Sequence, residues 1–172
     1  MAPHPDDEVL GSGGAIVTLL AAGVAVHTVC LTAGEASHGT GDPGAMARLA
    51  ERRRAGLTSV LRALGRLPDA VHAHLPDTGL DQHEETARAV TAEALTRTGA
   101  TLCLAPWEGD LHGDHEAAGR AATNTRARAG RSPTKPTRSR TCARSPGTTT
   151  PTSPSLSTSG APALARLCHL PA

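Results

Sequence analysis

Short β-branched apolar runs recur along this chain with helix-patterned stretches between them, and that order restricts the fold more than any other feature. Val24–Thr32, bounded by Gly23 and Gly34, reads as a buried strand, and Ala70–Leu75 and Thr101–Ala105 read as two more. Ala15–Ala22 is Ala/Leu-rich and reads as a short helix that closes at Gly23. Ala45–Leu64 carries Leu49, Leu57, Val60, Leu61 and Leu64 at helical spacing, and a helix from Gln82 to Arg97 stops at Gly99. Residues 34–44, with several glycines, Asp42 and Pro43, form a loop. Helix and strand alternate with short connections, so the expected fold is α/β: a mainly parallel sheet covered on both faces in a three-layer α/β/α arrangement.

At 172 residues the chain is long enough for one domain with a real core, yet it has no Phe, no Tyr and a single Trp, Trp107. Small side chains must therefore fill the interior. All 16 acidic residues lie before residue 123, and the stretch from Thr123 onward is basic and rich in Ser, Thr and Pro without periodicity. Residues 1–122 are thus expected to be the folded core and 123–172 a basic tail, either disordered or translated from a shifted reading frame. Codons for Ser145–Thr152, read one frame out of step, can encode an aromatic- and His-rich stretch of a kind the chain otherwise lacks. Cys30, Cys103, Cys142 and Cys168 fit neither a disulfide framework nor a zinc knuckle, and Cys30 and Cys103 read as buried thiols in apolar runs. With no leader and no apolar run of spanning length, a cytoplasmic chain without a membrane segment is expected. The tail has no aromatics for base stacking, so no nucleic-acid partner is expected.

In open α/β sheets ligands bind beyond the carboxyl ends of the strands. Glu35, Asp77 and the stretch Trp107–His115 each follow a strand, and they include most of the groups able to do chemistry. The densest cluster is His4-Pro5-Asp6-Asp7-Glu8, followed at once by Gly11-Ser12-Gly13-Gly14; a second is Asp110-Leu111-His112-Gly113-Asp114-His115-Glu116. Carboxylates and imidazoles crowded in this way repel and compete for protons, and a bound cation is the usual reason to assemble them. A catalytic zinc-like ion needs about three protein ligands and an open position for water. His4 and Asp7 can supply two from one turn, and one histidine of the second cluster the third. Asp114 reads as the N-cap of a helix at Ala117–Ala122, with His115 on its first turn. Asp6 would then lie beside the water, whose pKa the metal lowers to roughly 7, and could take its proton. His112 could stabilise the oxyanion and protonate the leaving amine. The chemistry is metal-assisted hydrolysis of an amide.

Ala2-Pro3-His4-Pro5-Asp6-Asp7-Glu8 together with His112-Gly113-Asp114-His115 resembles the PIG-L/LmbE-like zinc de-N-acetylases. Thr32-Ala33-Gly34-Glu35 and Pro76-Asp77-Thr78-Gly79-Leu80 match the same family pattern, and the resemblance covers about residues 2–122. It implies a Rossmann-like fold, one Zn2+ per chain and a small-molecule substrate carrying an N-acetylated sugar. By it His4, Asp7 and His115 are the zinc ligands, Asp6 the general base, His112 the oxyanion-stabilising histidine and Asp114 a group that tunes a histidine. Arg53 and Asp77 resemble positions that contact sugar hydroxyls. The family's first strand is absent before His4 and its C-terminal part is unrecognisable after Ala122. Gly56 stands where the family has Glu after Arg53, so Arg53 lacks its expected orienting partner. The oligomeric state and the particular sugar conjugate are left open, and a truncated chain that keeps metal affinity without turnover is the alternative.

Overall fold

The computed structural model describes residues 1–37, 39, 41–64, 70–129 and 166–169. The elements run α1 (Asp7–Ala21), β1 (Val29–Cys30), α2 (Pro43–Ala63), β2 (Val71–His72), α3 (Glu84–Thr98), β3 (Leu102–Ala105), α4 (Gly113–Ala129) and β4 (Arg166–His169), with a 3-10 turn at Leu80–His83 leading into α3. Helix and strand alternate as the sequence predicts. β1 and β2 pair in parallel, Val29 opposite Val71 and Cys30 opposite His72, whereas β3 pairs antiparallel with β4. The strands thus form two separate pairs.

Residues 1–3 lie between those pairs. The Ala2 amide donates to Val29 O at 2.8 Å, Ala2 O accepts from the Leu31 amide at 2.9 Å, and Thr32 N donates to Pro3 O at 2.9 Å. On the other side the Met1 amino group donates to Leu104 O at 2.7 Å. Met1–Pro3 is therefore the end of a central strand position, bonded to β1 on one edge and to β3 on the other. It sets where the His4 turn emerges, beyond the carboxyl end of β1.

Several boundaries differ from expectation, among them β2, which covers only Val71–His72 of the expected Ala70–Leu75. α1 begins at Asp7 and runs through Gly11-Ser12-Gly13-Gly14, whereas the sequence places the helix start only after those glycines. Asp7 and Glu8 in its first turn favour the positive end of the helix dipole, and Gly11 and Gly14 face open space, so their missing side chains forfeit no packing. β1 is only two residues long, because Val24 to Val26 have no neighbouring strand in register with them among the described residues. α4 starts at Gly113 and continues past Ala122, so Asp114 lies inside its first turn and is not the N-cap. His112 takes that place: its Nδ1 accepts from the Asp114 amide at 3.3 Å and its carbonyl from the Glu116 amide at 3.0 Å. Most of the tail beyond Ala129 lies outside the described residues.

The interior is built from small side chains, as the missing aromatics require. Val29, Leu31, Leu75 and Leu80 meet Ala87 and Ala94 of α3 and Ala117, Ala118 and Ala121 of α4. Alanine on facing helices lets α3 and α4 approach closely. Gly119 is needed for the same reason: a Cβ there would stand 2.7 Å from the Glu108 amide nitrogen and 2.8 Å from Pro106 O. α4 is thereby seated on the loop after β3, which brings His112 and His115 to the His4 turn. Cys30 is fully buried and burial pushes its thiol pKa up to about 12, so it is an inert core group. Cys103 is half-buried.

Candidate metal centre

The turn after Met1–Pro3 places His4 where its own turn, the Pro76–Leu80 turn and the Asp110–His115 stretch meet. Its Nδ1 lies 3.1 Å from Asp7 Oδ2. Its Nε2 lies 3.1 Å from Asp77 Oδ1 and 3.1 Å from Asp114 Oδ2. His115 Nε2 approaches the same Asp7 Oδ2 at 3.3 Å, and its Nδ1 lies 3.5 Å from Asp110 Oδ2. The His112 ring stands 5.1 Å from that of His4 and 4.8 Å from that of His115, at the exposed mouth. Residues 4, 7, 112 and 115 are thus brought together from the two ends of the described core.

Two overlapping sets could hold a cation: His4, Asp7 and His115, and His4, His112 and Asp114. They differ in what else their atoms do. Both Asp114 oxygens are engaged, Oδ1 by the Leu80 amide at 3.0 Å and Oδ2 by the Thr78 amide at 2.8 Å. Asp114 therefore ties the Pro76–Leu80 turn to His4. Asp77, expected at the sugar, also points inward: Oδ2 accepts from the Ala36 amide at 2.7 Å while Oδ1 faces His4. Asp7, by contrast, gathers three nitrogens on one oxygen, the His4 amide, His4 Nδ1 and His115 Nε2.

These contacts set the charges. Burial works against protonation of His4, but its hydrogen bonds to Asp7, Asp77 and Asp114 win and push its pKa up to about 10. Burial would raise Asp7, yet the bonds from His115 and His4 hold it well below the usual carboxylate range. Asp77 is lowered in the same way, burial being outweighed by His4 and the Ala36 amide. The bond to Asp7 raises His115 against the cost of burial. A raised histidine stabilises the fold fully below its unfolded value near 6.5, and that contribution fades as pH climbs toward about 10. The Asp7 contribution is present above about pH 4 and is lost on acidification. A metal can take His4 Nδ1 only after its proton leaves, so metal binding at pH 7 is expected to release at least about one proton and to tighten as pH rises. Calorimetry in buffers of different ionisation enthalpy measures that number; a value near zero would show that His4 is not a ligand.

Asp6 sits differently. Its φ is 149°, a region side chains rarely adopt, and such strain costs about 1–3 kcal/mol. The surroundings hold it there. Its amide donates to Glu8 Oε2 at 3.0 Å, its carbonyl accepts from the Val9 and Leu10 amides at 3.0 and 2.9 Å, and Arg53 Nη2 donates to its Oδ2 at 3.0 Å. Arg53 Nη1 also donates to Gly34 O at 3.2 Å, so a backbone carbonyl and Asp6 orient the guanidinium in place of the glutamate that Gly56 replaces. A side chain at Gly34 would put Cβ 1.9 Å from Arg53 Nη1, and Gly34 has φ +65°. Glycine is required on both counts. Sequence reasoning assigns neither Asp110 nor the support that Asp77 gives His4. Asp110 belongs to the second His/Asp cluster, which is a signal; nothing local to Asp77 announces a contact with His4.

Residues 1–125 match the family model of PIG-L, GlcNAc-PI de-N-acetylase. The chain belongs to the PIG-L/LmbE-like de-N-acetylase family. It resembles N,N'-diacetylchitobiose deacetylase from Pyrococcus horikoshii, solved with its inhibitor MPG, at 32% identity and a TM-score of 0.64 over 73% of this chain and 47% of that one. It also resembles the conserved protein TT1542 from Thermus thermophilus, at 36% identity and a TM-score of 0.60 over 75% of this chain and 54% of that one. The chain therefore spans about half the length of these structures. A search among curated protein sequences found no match. The family's α/β, Rossmann-like fold and a His/Asp cluster able to coordinate a metal are both present. No helix among the described residues is long and apolar enough to cross a membrane.

Proposed function

We propose that the chain is a zinc-dependent hydrolase that removes the acetyl group from an N-acetylglucosamine-type conjugate. The observation that carries this reading is the convergence of His4 Nδ1 and His115 Nε2 on Asp7 Oδ2 at 3.1 and 3.3 Å. Donor atoms about 2.0–2.1 Å from a tetrahedral zinc ion lie roughly 3.3 Å from one another, so this two-nitrogen, one-oxygen set fits the ion. The second set fits less well, because Asp114 is fully engaged in holding His4 and the Pro76–Leu80 turn. Zinc held by His4, Asp7 and His115 would polarise the acetyl carbonyl as a Lewis acid.

The rest is done by the chain. Asp77 and Asp114 fix the His4 ring through Nε2, which leaves Nδ1 turned to the centre, and Asp110 does the same for His115. Asp6, clamped by Arg53, takes a proton from the attacking water. His112, at the mouth, hydrogen-bonds the developing oxyanion and delivers a proton to the leaving amine, so that acetate and a free amino sugar result. An open cleft lined by Leu10, Trp107, Asp110 and His115 adjoins these groups, and the exposed Trp107 ring offers the sugar an apolar face. Arg53 stands beside Asp6 from α2 and would contact the sugar through the donors that Asp6 and Gly34 leave free. Asp77 acts from beneath, through His4.

A second reading, that the chain binds metal without turning over, is favoured by its covering only 47% and 54% of the two solved structures. Acetate release from an N-acetylglucosaminyl conjugate separates the two. The hydrolase reading predicts release that a chelator abolishes and added zinc restores. Bound zinc without release supports the second reading, and release indifferent to chelation contradicts both.

A further inference from the structure

The open cleft beside the metal set holds about 820 Å³ of empty space, far more than the methyl of an acetyl group fills. Leu10 and Gly11 of α1 line it, as do Pro106 and Trp107 of the loop after β3, with Asp7 and His115 at the metal set. Resting on the hydrolase reading, we propose that this cleft takes the acyl chain of the substrate, so that the protein also hydrolyses amino-sugar amides whose acyl groups are longer than acetyl.

The amide itself separates the two ends of the substrate. Nitrogen and acyl chain diverge in the plane of the acyl carbon, so sugar and chain leave it in different directions. Two of the three proposed ligands, Asp7 and His115, open onto the cleft, whereas Asp6 and Arg53, which flank the water and the sugar, do not line it. The walls suit an apolar ligand. Leu10 is 77% exposed and Trp107 45%, apolar surface left in water beside the proposed site. Asp110, at the metal end, is already engaged: Oδ1 accepts from the His112 amide at 3.0 Å, and Oδ2 lies 3.5 Å from His115 Nδ1. The Trp107 ring is held against Gly109, where a Cβ would stand 2.8 Å from ring atom Cζ2. A ring fixed in this way loses little freedom when a ligand covers it. Gly11 leaves room on the α1 side, since a Cβ there would meet nothing within 4 Å. A methyl group covers little of these walls, and a chain several carbons long covers them. The reaction keeps its form: the water oxygen bonds the acyl carbon, the C–N bond breaks, and both protons of that water end on the nitrogen. The products are a longer carboxylate and the ammonium form of the amino sugar.

The test is release of free amino sugar from N-acetyl-, N-butyryl- and N-hexanoylglucosamine by the full chain supplied with zinc. The proposal predicts that kcat/KM rises on the order of twofold to fourfold for each methylene the walls cover, mostly through a lower KM. Trp107 is the only tryptophan, so its fluorescence should shift to the blue with the hexanoyl compound and far less with the acetyl one. Gly11→Leu, which replaces a helical glycine where the fold leaves space, should lower the hexanoyl-to-acetyl ratio of kcat/KM at least about tenfold by filling the cleft. Release of acetate with hexanoate at least about tenfold slower would overturn the proposal and leave the hydrolase reading standing. Release from none of the three would overturn both. Brisk hexanoyl hydrolysis that neither shifts Trp107 nor responds to Gly11→Leu would place the chain elsewhere and overturn the assignment of the cleft.

Discussion

Replacing His4 with alanine is expected to lower the unfolding free energy of the metal-free protein by about 3–5 kcal/mol, the cost of leaving a buried charge without its partner. Among the described residues His4 is the one cation that Asp7, Asp77 and Asp114 share, at 3.1 Å in each case, and the side chains of Asp77 and Asp114 are only 3% and 4% exposed. Without the imidazole, three carboxylates face one another in a space that water enters poorly. They must either repel or take up protons, and both weaken the fold at neutral pH. Adding Asp77→Asn to His4→Ala should recover part of the loss, because one uncompensated charge goes. Urea unfolding in chelator measures both. A loss below about 1 kcal/mol for His4→Ala would mean that the cluster is far better solvated than its burial indicates.

Asp6→Asn should have the opposite profile. The amide keeps the size of the carboxylate and can still face Arg53, and Asp6 is no part of the His4–Asp7–His115 set, so folding and metal content are expected to change little. What it cannot do is accept a proton from the attacking water. Removing a general base typically costs about 10²–10⁴ in rate, and acetate release should fall by that factor. Zinc content measured on the same sample separates loss of the base from loss of the metal. Undiminished release would move the base elsewhere, with Glu8 and Asp110 carboxylates on the same two segments that the His4–Asp7–His115 set leaves unused.

Much of the centre is legible in the sequence because its chemistry is local. His4, Asp6 and Asp7 share one turn, and His112, Asp114 and His115 share another, so spacing alone groups them. The contacts of Asp77 and Arg53 are not legible. Asp77 meets His4, and Arg53 meets Asp6, only after β1, β2 and α2 have packed, and no periodicity encodes such a contact. The start of α1 is misread for a related reason. Three glycines and a serine after Leu10 predict a loop on propensity, but the dipole favours Asp7 and Glu8 at the first turn, and Glu8 is buried against the Asp6 amide. The residues alone overstate β1 because strand length depends on neighbours. Val24–Thr32 has the right composition, yet Met1–Pro3 supplies a partner only at its far end. The small-residue core, in contrast, follows directly from the missing Phe and Tyr.

Elemental analysis of zinc per chain, on wild type beside His115→Ala, tests the central claim most directly. The claim is that a histidine on α4 closes a site begun on the turn after Pro3. About one zinc per wild-type chain, and close to none in a folded His115→Ala variant, is the predicted result. Zinc retained in full by His115→Ala, or absent from a folded wild type supplied with the metal, would contradict it.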